Sequence, residues 1–267
     1  MASSPLKTAI FAAREAGKIL MAAYEGSAES LDVHYKKFRE PVSIVDLASN
    51  DAIIQKISRA FPNDGILSEE SKGLEAPNIA GAGFTWIIDP LDGTSNFINH
   101  IPLFAVVIAR VQNGIPMLGV IYDPLHDELF TADRGKGARL NGKPIRVSER
   151  DVTRGAMLFA GRGYRDHDRL RHGRIIYALE RKTPYFRRLG SAAHMLAGVA
   201  CGRADATILT GNKPWDTVAG MLLVEEAGGK VSNYCGKHWT IKSEDLVATN
   251  AAIHKHIVAI TKRSASR

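Results

Sequence analysis

Apolar residues recur along this chain in two different rhythms, and the change between them outlines its organisation. Ser4-Pro5 reads as a helix N-cap followed by the first helical residue. Behind it, Leu6, Ile10, Ala13, Gly17, Leu20 and Tyr24 fall at alternating steps of four and three, one face of a helix that Gly26 can stop. A second helix is expected after Asp46, with Ile54, Ile57 and Phe61 inward, broken at Pro62-Asn63-Asp64-Gly65. Then the rhythm changes. Phe84–Ile88 is a short apolar run, read as a buried strand that ends in a polar turn at Asp89-Pro90. Phe104–Val111 and Ile115–Tyr122 flank Gln112-Asn113-Gly114, a hairpin signal, and Glu128–Ala132 with the segment around Asn141-Gly142 continues an antiparallel meander.

The second half alternates strand and helix. Strands are expected at Met157–Ala160, Tyr185–Leu189, Ala206–Leu209, Lys230–Tyr234 and Leu246–Thr249. Helices are expected at Asp166–Arg181, Ser191–Cys201, Thr217–Ala227 (stopped by Gly228-Gly229) and Ala251–Lys262. No internal repeat, low-complexity tract or linker interrupts this order. The pattern predicts one α+β domain over residues 1–267, with subregions of about 1–150 and 151–267 meeting near Val147–Gly155.

Composition changes this picture little. A 45% hydrophobic and 24% charged chain of 267 residues is that of an ordinary globular protein with a sizeable core. Two cysteines, Cys201 and Cys235, supply no disulfide framework and suit a reducing compartment. The start of the chain does not read as a signal peptide, and no apolar run approaches the length needed to cross a bilayer, so a cytoplasmic protein without a membrane partner is expected. The net charge is +7, with basic residues concentrated between Arg162 and Arg188. No nucleic-acid module signature accompanies that charge. It is therefore read as a solvated basic face, and nucleic acid is not expected as a partner.

Three acidic clusters follow apolar stretches: Ser68-Glu69-Glu70-Ser71, Asp89-Pro90-Leu91-Asp92-Gly93-Thr94 and Pro214-Trp215-Asp216. Carboxylates gathered at sheet ends repel one another unless a cation lies between them. Oxygen ligands without His or Cys select magnesium, manganese or calcium over zinc. In the central string, Pro90 fixes its own φ and restricts Asp89, so the turn can aim two carboxylates and the Leu91 carbonyl at one point. Gly93 and Thr94 then offer backbone amides and a hydroxyl where a helix could begin, an arrangement suited to phosphate.

These residues closely resemble the motifs of the inositol monophosphatase family. Trp86–Phe97 is similar to its first signature; Pro214–Gly220, followed by Glu226-Ala227-Gly228-Gly229, is similar to its second. Ile66–Ser71 resembles its acidic strand end, Pro41–Asp46 its proline-valine-threonine element with Ser43 in place of threonine, and Gly190-Ser191-Ala192-Ala193 its substrate-side helix start. The motifs occur in family order over almost the whole chain. The resemblance implies a layered α/β/α/β/α sandwich, a homodimer, and lithium-sensitive hydrolysis of a small phosphorylated substrate with two or three Mg2+ ions, Mn2+ being a possible substitute. It assigns Glu69, Asp89 and the Leu91 carbonyl to a first metal, Asp89, Asp92 and Asp216 to a second, and Glu69 to a third through water. Gly93 and Thr94 would bind phosphate, Gly190, Ser191 and Ala192 would line the substrate side with Asp92 and Asp216, and Thr94 with Asp46 would activate water.

One departure bears on the substrate. Inositol-specific members carry a glutamate seven positions before the second-signature aspartate, and this chain has Leu209 there, which cannot accept a hydrogen bond. Relaxed selectivity among phosphorylated polyols and sugars follows as an expectation. Histidinol phosphate, fructose 1,6-bisphosphate and adenosine 3′,5′-bisphosphate remain alternatives on the same fold. A nucleic-acid-binding protein and a two-carboxylate glycosidase are alternatives of other classes. The first gives no reason for the gathered carboxylates, and the second needs a protonated acid in an apolar pocket. Gly137–Lys143 nearly matches a P-loop, but Pro144 follows it and Asn141-Gly142 reads as a hairpin turn.

Overall fold

The structure, a computed structural model, describes residues 4–26, 34–35, 41–70 and 83–265. Ser71, the last residue of the acidic strand-end motif, lies outside them. Helix α1 (Pro5–Tyr24) starts as expected, with Ser4 as N-cap and Pro5 where a missing N–H costs nothing. Two short strands, β1 (His34–Tyr35) and β2 (Pro41–Val42), pair antiparallel. Helix α2 (Ile44–Ala60) begins ahead of Asp46, not after it. Ser43 takes the N-cap place, and the Asp46 carboxylate at the third helical position accepts the Ser43 N–H at 2.9 Å. Its buried face uses Ile53 and Ile57, with Ile54 only partly covered.

A seven-stranded sheet follows, made of β3 (Gly65–Ser68), β4 (Phe84–Asp92), β5 (Ala105–Gln112), β6 (Ile115–Asp123), β7 (Glu128–Asp133), β8 (Ala138–Leu140) and β9 (Lys143–Pro144), in that spatial order. Only β3 and β4 run parallel; the other neighbours form an antiparallel meander. Asn113-Gly114 and Asn141-Gly142 make two of its hairpin turns, all four residues with positive φ. The second pair disposes of the P-loop likeness. β4 does not stop at Asp89. It runs on to Asp92 through a register shift between Asp89 and Asp92, and Pro90 sits inside that irregularity, where a ladder N–H is not required. The short α3 (Thr94–Ile98) leaves β4 directly.

The second sheet has five strands in the order β11-β10-β12-β14-β13: β10 (Leu158–Arg162), β11 (Phe186–Arg187), β12 (Ala206–Thr210), β13 (Lys230–Ser232) and β14 (Asp245–Thr249). β11, β10 and β12 are parallel, and β12, β14 and β13 antiparallel. Its helices are α4 (Asp166–Glu180), α5 (Ala192–Ala200), α6 (Pro214–Glu226) and α7 (His254–Ala265). α6 begins three residues earlier than its apolar pattern suggests because Pro214 serves as its first residue. No helix of the described residues is long and apolar enough to cross a membrane.

Three apolar clusters stack these elements into five layers. Trp86 and Ile88 of β4, with Val106 and Ile108 of β5, pack against α1 and α2. Ile87, Val107 and Ala109 point the other way, into a core shared by α5, α6 and the inner face of the second sheet. Leu158, Ala206, Ile208 and Val247 on that sheet's outer face meet Ile175 and Leu179 of α4 and Ile257 of α7. The period of two along each strand thus divides side chains between adjacent cores. Each fully buried Ile or Leu contributes about 1.5–3 kcal/mol. The result is an α/β/α/β/α sandwich of α+β type, as expected.

Candidate active site

The ends of β3 and β4 bring the first carboxylates together. Parallel pairing of β3 with β4 continues one step past Ser68, where the Glu69 N–H reaches the Ile88 carbonyl at 3.1 Å. Glu69 therefore stands beside Asp89. Asp216 arrives from the other sheet, at the third position of α6, where its carboxylate accepts the Lys213 N–H at 2.7 Å. One carboxylate oxygen from each of Glu69, Asp89 and Asp216 lies within 4.8 Å of the others. Asp89 is buried. Burial, and then the charges of Glu69, Asp92 and Asp216, push its carboxyl well above the usual range. Three acids converging on one point, one of them out of water, form a set that a hard cation relieves. The all-oxygen donors fit magnesium or manganese.

The turn itself is braced on every side. The Leu91 N–H bonds to Asp89 Oδ1 at 3.0 Å, and Ser49 Oγ from α2 donates to the Pro90 carbonyl at 2.8 Å. Gly93 has φ of 89°, and an added Cβ would meet the Leu103 carbonyl at 2.8 Å, so only glycine fits here. Thr94 Oγ1 lies 3.2 Å from Asp46 Oδ1 and 3.0 Å from the Leu91 carbonyl. Asp46 is held from behind by the N–H and hydroxyl of Ser43. Burial raises its carboxyl, against the lowering effect of those bonds, and the charge of Glu70 adds to the rise. Serine in place of threonine at position 43 thus keeps the hydroxyl that anchors Asp46.

Asp92 is placed differently from the other acids. Its carboxylate accepts the Ala192 and Ala193 N–H groups at 3.1 Å each, and the Ser191 hydroxyl. It faces the N-terminus of α5 and is not one of the three oxygens that converge. Burial raises its carboxyl, opposed by Ser191, His194 and the two amides. A carboxylate has about four lone-pair positions, so three donors leave one unused. Of the residues expected on the substrate side, Gly190 is exposed, whereas Ser191 and Ala192 are buried and give their donors to Asp92.

Beyond Ser191 runs a chain that the sequence reading missed. His194 Nδ1 is 2.8 Å from Ser191 Oγ, and its Nε2 is 2.8 Å from Asp123 Oδ2, which His126 Nδ1 also contacts at 2.7 Å. Burial works to raise the Asp123 carboxyl, but hydrogen bonding and charge from His194, with bonds from His126, hold it below its ordinary value. Serine, histidine and aspartate here resemble a nucleophilic triad in connectivity only, since Ser191 is 1% exposed and its hydroxyl donates to Asp92. The available signal was Ser191 as N-cap with His194 three residues on. Asp123, from the end of β6, carries no local signal.

Leu209 corrects the expectation about substrate contact. Its side chain is fully buried in the central core, and its Cδ2 lies 3.0 Å from where a Cβ on Gly161 would be. Residue 209 shares a strand face with Thr207, toward α5, and offers no wall to a ligand.

The chain matches the model of the inositol monophosphatase family over residues 2–266. The Nus factor SuhB of Pseudomonas aeruginosa is 40% identical, over 95% of this chain and 94% of the relative. The crystal structure of the extragenic suppressor protein suhB from Bartonella henselae superposes with a TM-score of 0.90 at 34% identity, covering 98% of this chain and 99% of that one. The structure of an inositol monophosphatase from Anabaena (Nostoc) sp. PCC 7120 superposes with a TM-score of 0.85 at 37% identity, covering 97% of this chain and 95% of that one. The curated relatives carry a name that belongs to transcription, Nus factor. The expectation that nucleic acid is not a partner is overturned by it: net charge without a module signature was too weak a ground for exclusion.

Proposed function

The chain belongs to the inositol monophosphatase family, and from that membership we propose that it hydrolyses phosphate monoesters of the inositol 1-phosphate kind in a magnesium-dependent reaction. The observation that supports this reading best is the convergence of Glu69, Asp89 and Asp216 within 4.8 Å around a buried carboxylate. These three residues would hold the ion, joined by the Leu91 carbonyl and by the unused lone pair of Asp92. When bound, magnesium supplies Lewis acidity: it neutralises phosphoryl oxygens and lowers the pKa of water. The protein's own groups do the rest. Thr94 Oγ1, set between Asp46 and the Leu91 carbonyl, orients a water and passes its proton toward Asp46. The backbone of Gly93 and Thr94 receives the phosphate, and Gly190 presents the exposed backbone on the substrate side. Asp92, pinned to α5, keeps the two sheets in register across the site.

The test is phosphate release by the purified protein from inositol 1-phosphate in magnesium, repeated with manganese, in EDTA and with added lithium. A parallel panel covers histidinol phosphate, fructose 1,6-bisphosphate, adenosine 3′,5′-bisphosphate and simple sugar phosphates. Release that EDTA abolishes and lithium inhibits is expected; no release from any member would sink the reading.

The relatives named Nus factor SuhB, matched over nearly the full chain, favour a second reading: the protein also serves in transcription. Adding it to a reconstituted transcription reaction from its own organism is expected to change elongation or termination. Unchanged products on every template tried would refute this.

A further inference from the structure

Asp92 and Asp123 end two strands of the seven-stranded sheet, β4 and β6, with β5 between them. Asp92 is paired with Ala105 of β5. The pairing of Val106 with Tyr122 sets Ala105 opposite Asp123 one step further on. Residues directly opposite across an antiparallel pair share a face. All three therefore point the same way, into the core that holds Ala105 and α5. At about 4.8 Å per strand, the backbones of the two acids stand about 10 Å apart at one end of the sheet. Each acid holds the first turn of α5 by a different route. Asp92 takes the Ala192 and Ala193 N–H groups and the Ser191 hydroxyl. Asp123 reaches the same turn through the His194 ring, whose Nε2 lies 2.8 Å from Asp123 Oδ2 and whose Nδ1 lies 2.8 Å from Ser191 Oγ.

The link is firm at both ends. Asp123 is buried, and four donors close on its carboxylate. The Leu125 and His126 N–H groups reach Oδ1 at 3.0 Å each; His126 Nδ1, at 2.7 Å, and His194 Nε2 meet Oδ2. Burial would raise this carboxyl, but bonds and charge from His194, then bonds from His126, outweigh it. An ionised carboxylate only accepts, so His194 carries hydrogen on Nε2 and is oriented from the Asp123 side. At the far end, Ser191 Oγ accepts the His194 N–H at 3.2 Å as the N-cap of α5. One residue thus meets that hydroxyl twice, by its backbone and by its ring, and the hydroxyl turns to Asp92.

Several roles could use such a chain, and its contacts separate them. A nucleophilic serine needs an open face, but Ser191 is buried and its hydroxyl donates to Asp92. A metal ion between the two rings needs bare nitrogens. Both rings turn an N–H to Asp123 Oδ2, and among the described residues only Glu69, Asp89 and Asp216 bring three ligand atoms within 4.8 Å of one another. The cap of α5 needs the Ser191 hydroxyl and the His194 backbone, and makes no use of the ring. Support of Asp92 needs what is present: a rigid bridge from a second, fully bonded carboxylate of the same sheet to the hydroxyl that Asp92 accepts.

We propose that His194 and Asp123 are positioning residues for Asp92: the bridge from β6 through the imidazole to Ser191 holds the Asp92 carboxylate toward the divalent cation and so sets the cation affinity of the site. This deepens the magnesium-dependent phosphatase reading and rests on its ion, but ion binding is measured apart from turnover. The probe is Mn2+, titrated into the full chain and followed by loss of the free-ion EPR signal. Beside it stand the unfolding midpoint in EDTA and the magnesium dependence of phosphate release from inositol 1-phosphate. His194→Ala and Asp123→Asn should each weaken Mn2+ binding about tenfold. The magnesium needed for half-maximal release should rise by the same factor, with kcat at saturating magnesium little changed. Because the two residues act through one bridge, the double variant should lose about tenfold in total, against about a hundredfold for independent effects. His194→Gln can still bond to Asp123 but has no ring nitrogen beside Ser191, and should bind Mn2+ as weakly as His194→Ala. His126→Ala takes a half-exposed ring from Asp123 without cutting the bridge, and should bind Mn2+ as the native chain does. Should Asp123→Asn fail to fold, His194→Ala, His194→Gln and His126→Ala decide the matter by themselves. The proposal is overturned by a native chain that binds no Mn2+, by native affinity in His194→Ala, by an equal loss in His126→Ala, or by additive losses in the double variant. Native affinity in His194→Gln would also overturn it, since the ring would then be no more than a partner for a buried carboxylate. Absent phosphate release from every substrate, with Mn2+ bound and the variants weakened as expected, would sink the phosphatase reading and leave the bridge standing.

Discussion

Replacing Asp89 by asparagine keeps the size of the side chain and removes one charge from the three that converge. At the 4.8 Å limit of their separation, two carboxylates repel by about 3.5 kcal/mol at an effective dielectric of 20. Asp89 takes part in two such pairs, and it is the buried member. Protonation and the partial exposure of Glu69 and Asp216 relieve much of this, so the net gain on substitution is a fraction of that sum. The sign with pH follows from the raised carboxyl. Its contribution to stability is full below the unfolded value, about pH 3.9, and is lost as pH rises through the higher folded value. Without metal, the Asn variant should therefore be at least as stable as the native protein, and increasingly more so toward alkaline pH. With metal the order reverses. Magnesium at a hundred times its dissociation constant should stabilise the native chain by about 2.7 kcal/mol, which for a chain of this size raises Tm by about 5–11 °C. The variant should gain almost nothing, and its magnesium-dependent phosphate release should vanish. Thermal unfolding with and without magnesium, over a range of pH, reads all of this. An equal magnesium shift in both proteins, or a metal-free variant several degrees less stable than native at alkaline pH, would refute the reasoning.

Leu209→Glu should fail to fold or lose more than about 4 kcal/mol, because it places a carboxylate with no partner in the central core; a native denaturation midpoint with an altered substrate preference would show that the side chain reaches the ligand after all. Asp64 accepts from Trp86 Nε1 and from Arg110 Nε at 2.8 Å each, and Asp64 and Arg110 are only 11% exposed. Asp64→Ala should therefore cost about 3–5 kcal/mol in urea unfolding, and a loss below 1 kcal/mol would mean that water replaces the carboxylate freely. Burial, aided by nearby positive charge, pushes His172 and His254 down to about 4. Their folded values lie below the unfolded one, so their contribution is present above about pH 6.5 and is lost as pH falls toward 4, by up to about 3 kcal/mol each. His172→Gln should flatten the stability profile across that window, and an unchanged slope would rule out His172 as its source.

Local pattern was enough for much of this protein. The 4-3 spacing after Pro5, the Asn-Gly turns and the short β-branched runs each specify an element through nearest-neighbour sterics and burial, and they agree with one another. The acidic strings were legible for the same reason, since Asp89-Pro90-Leu91-Asp92 constrains its own backbone. Tertiary structure decided what depends on residues far apart in the chain. Only the fold brings Asp216 from α6 to Glu69 and Asp89, and only the fold turns Asp92 toward the amides of α5, one hundred positions away. The His194–Asp123 link spans 71 positions and has no local signature. Leu209 looked like a missing ligand contact when read against a motif, yet strand parity puts it in the core. The basic stretch read as a solvated face because a sequence counts charges without saying which are neutralised. Helix geometry and ion pairs with Glu244 and Asp245 decide that, and they leave Leu170, Arg174 and Tyr177 exposed along one side of α4.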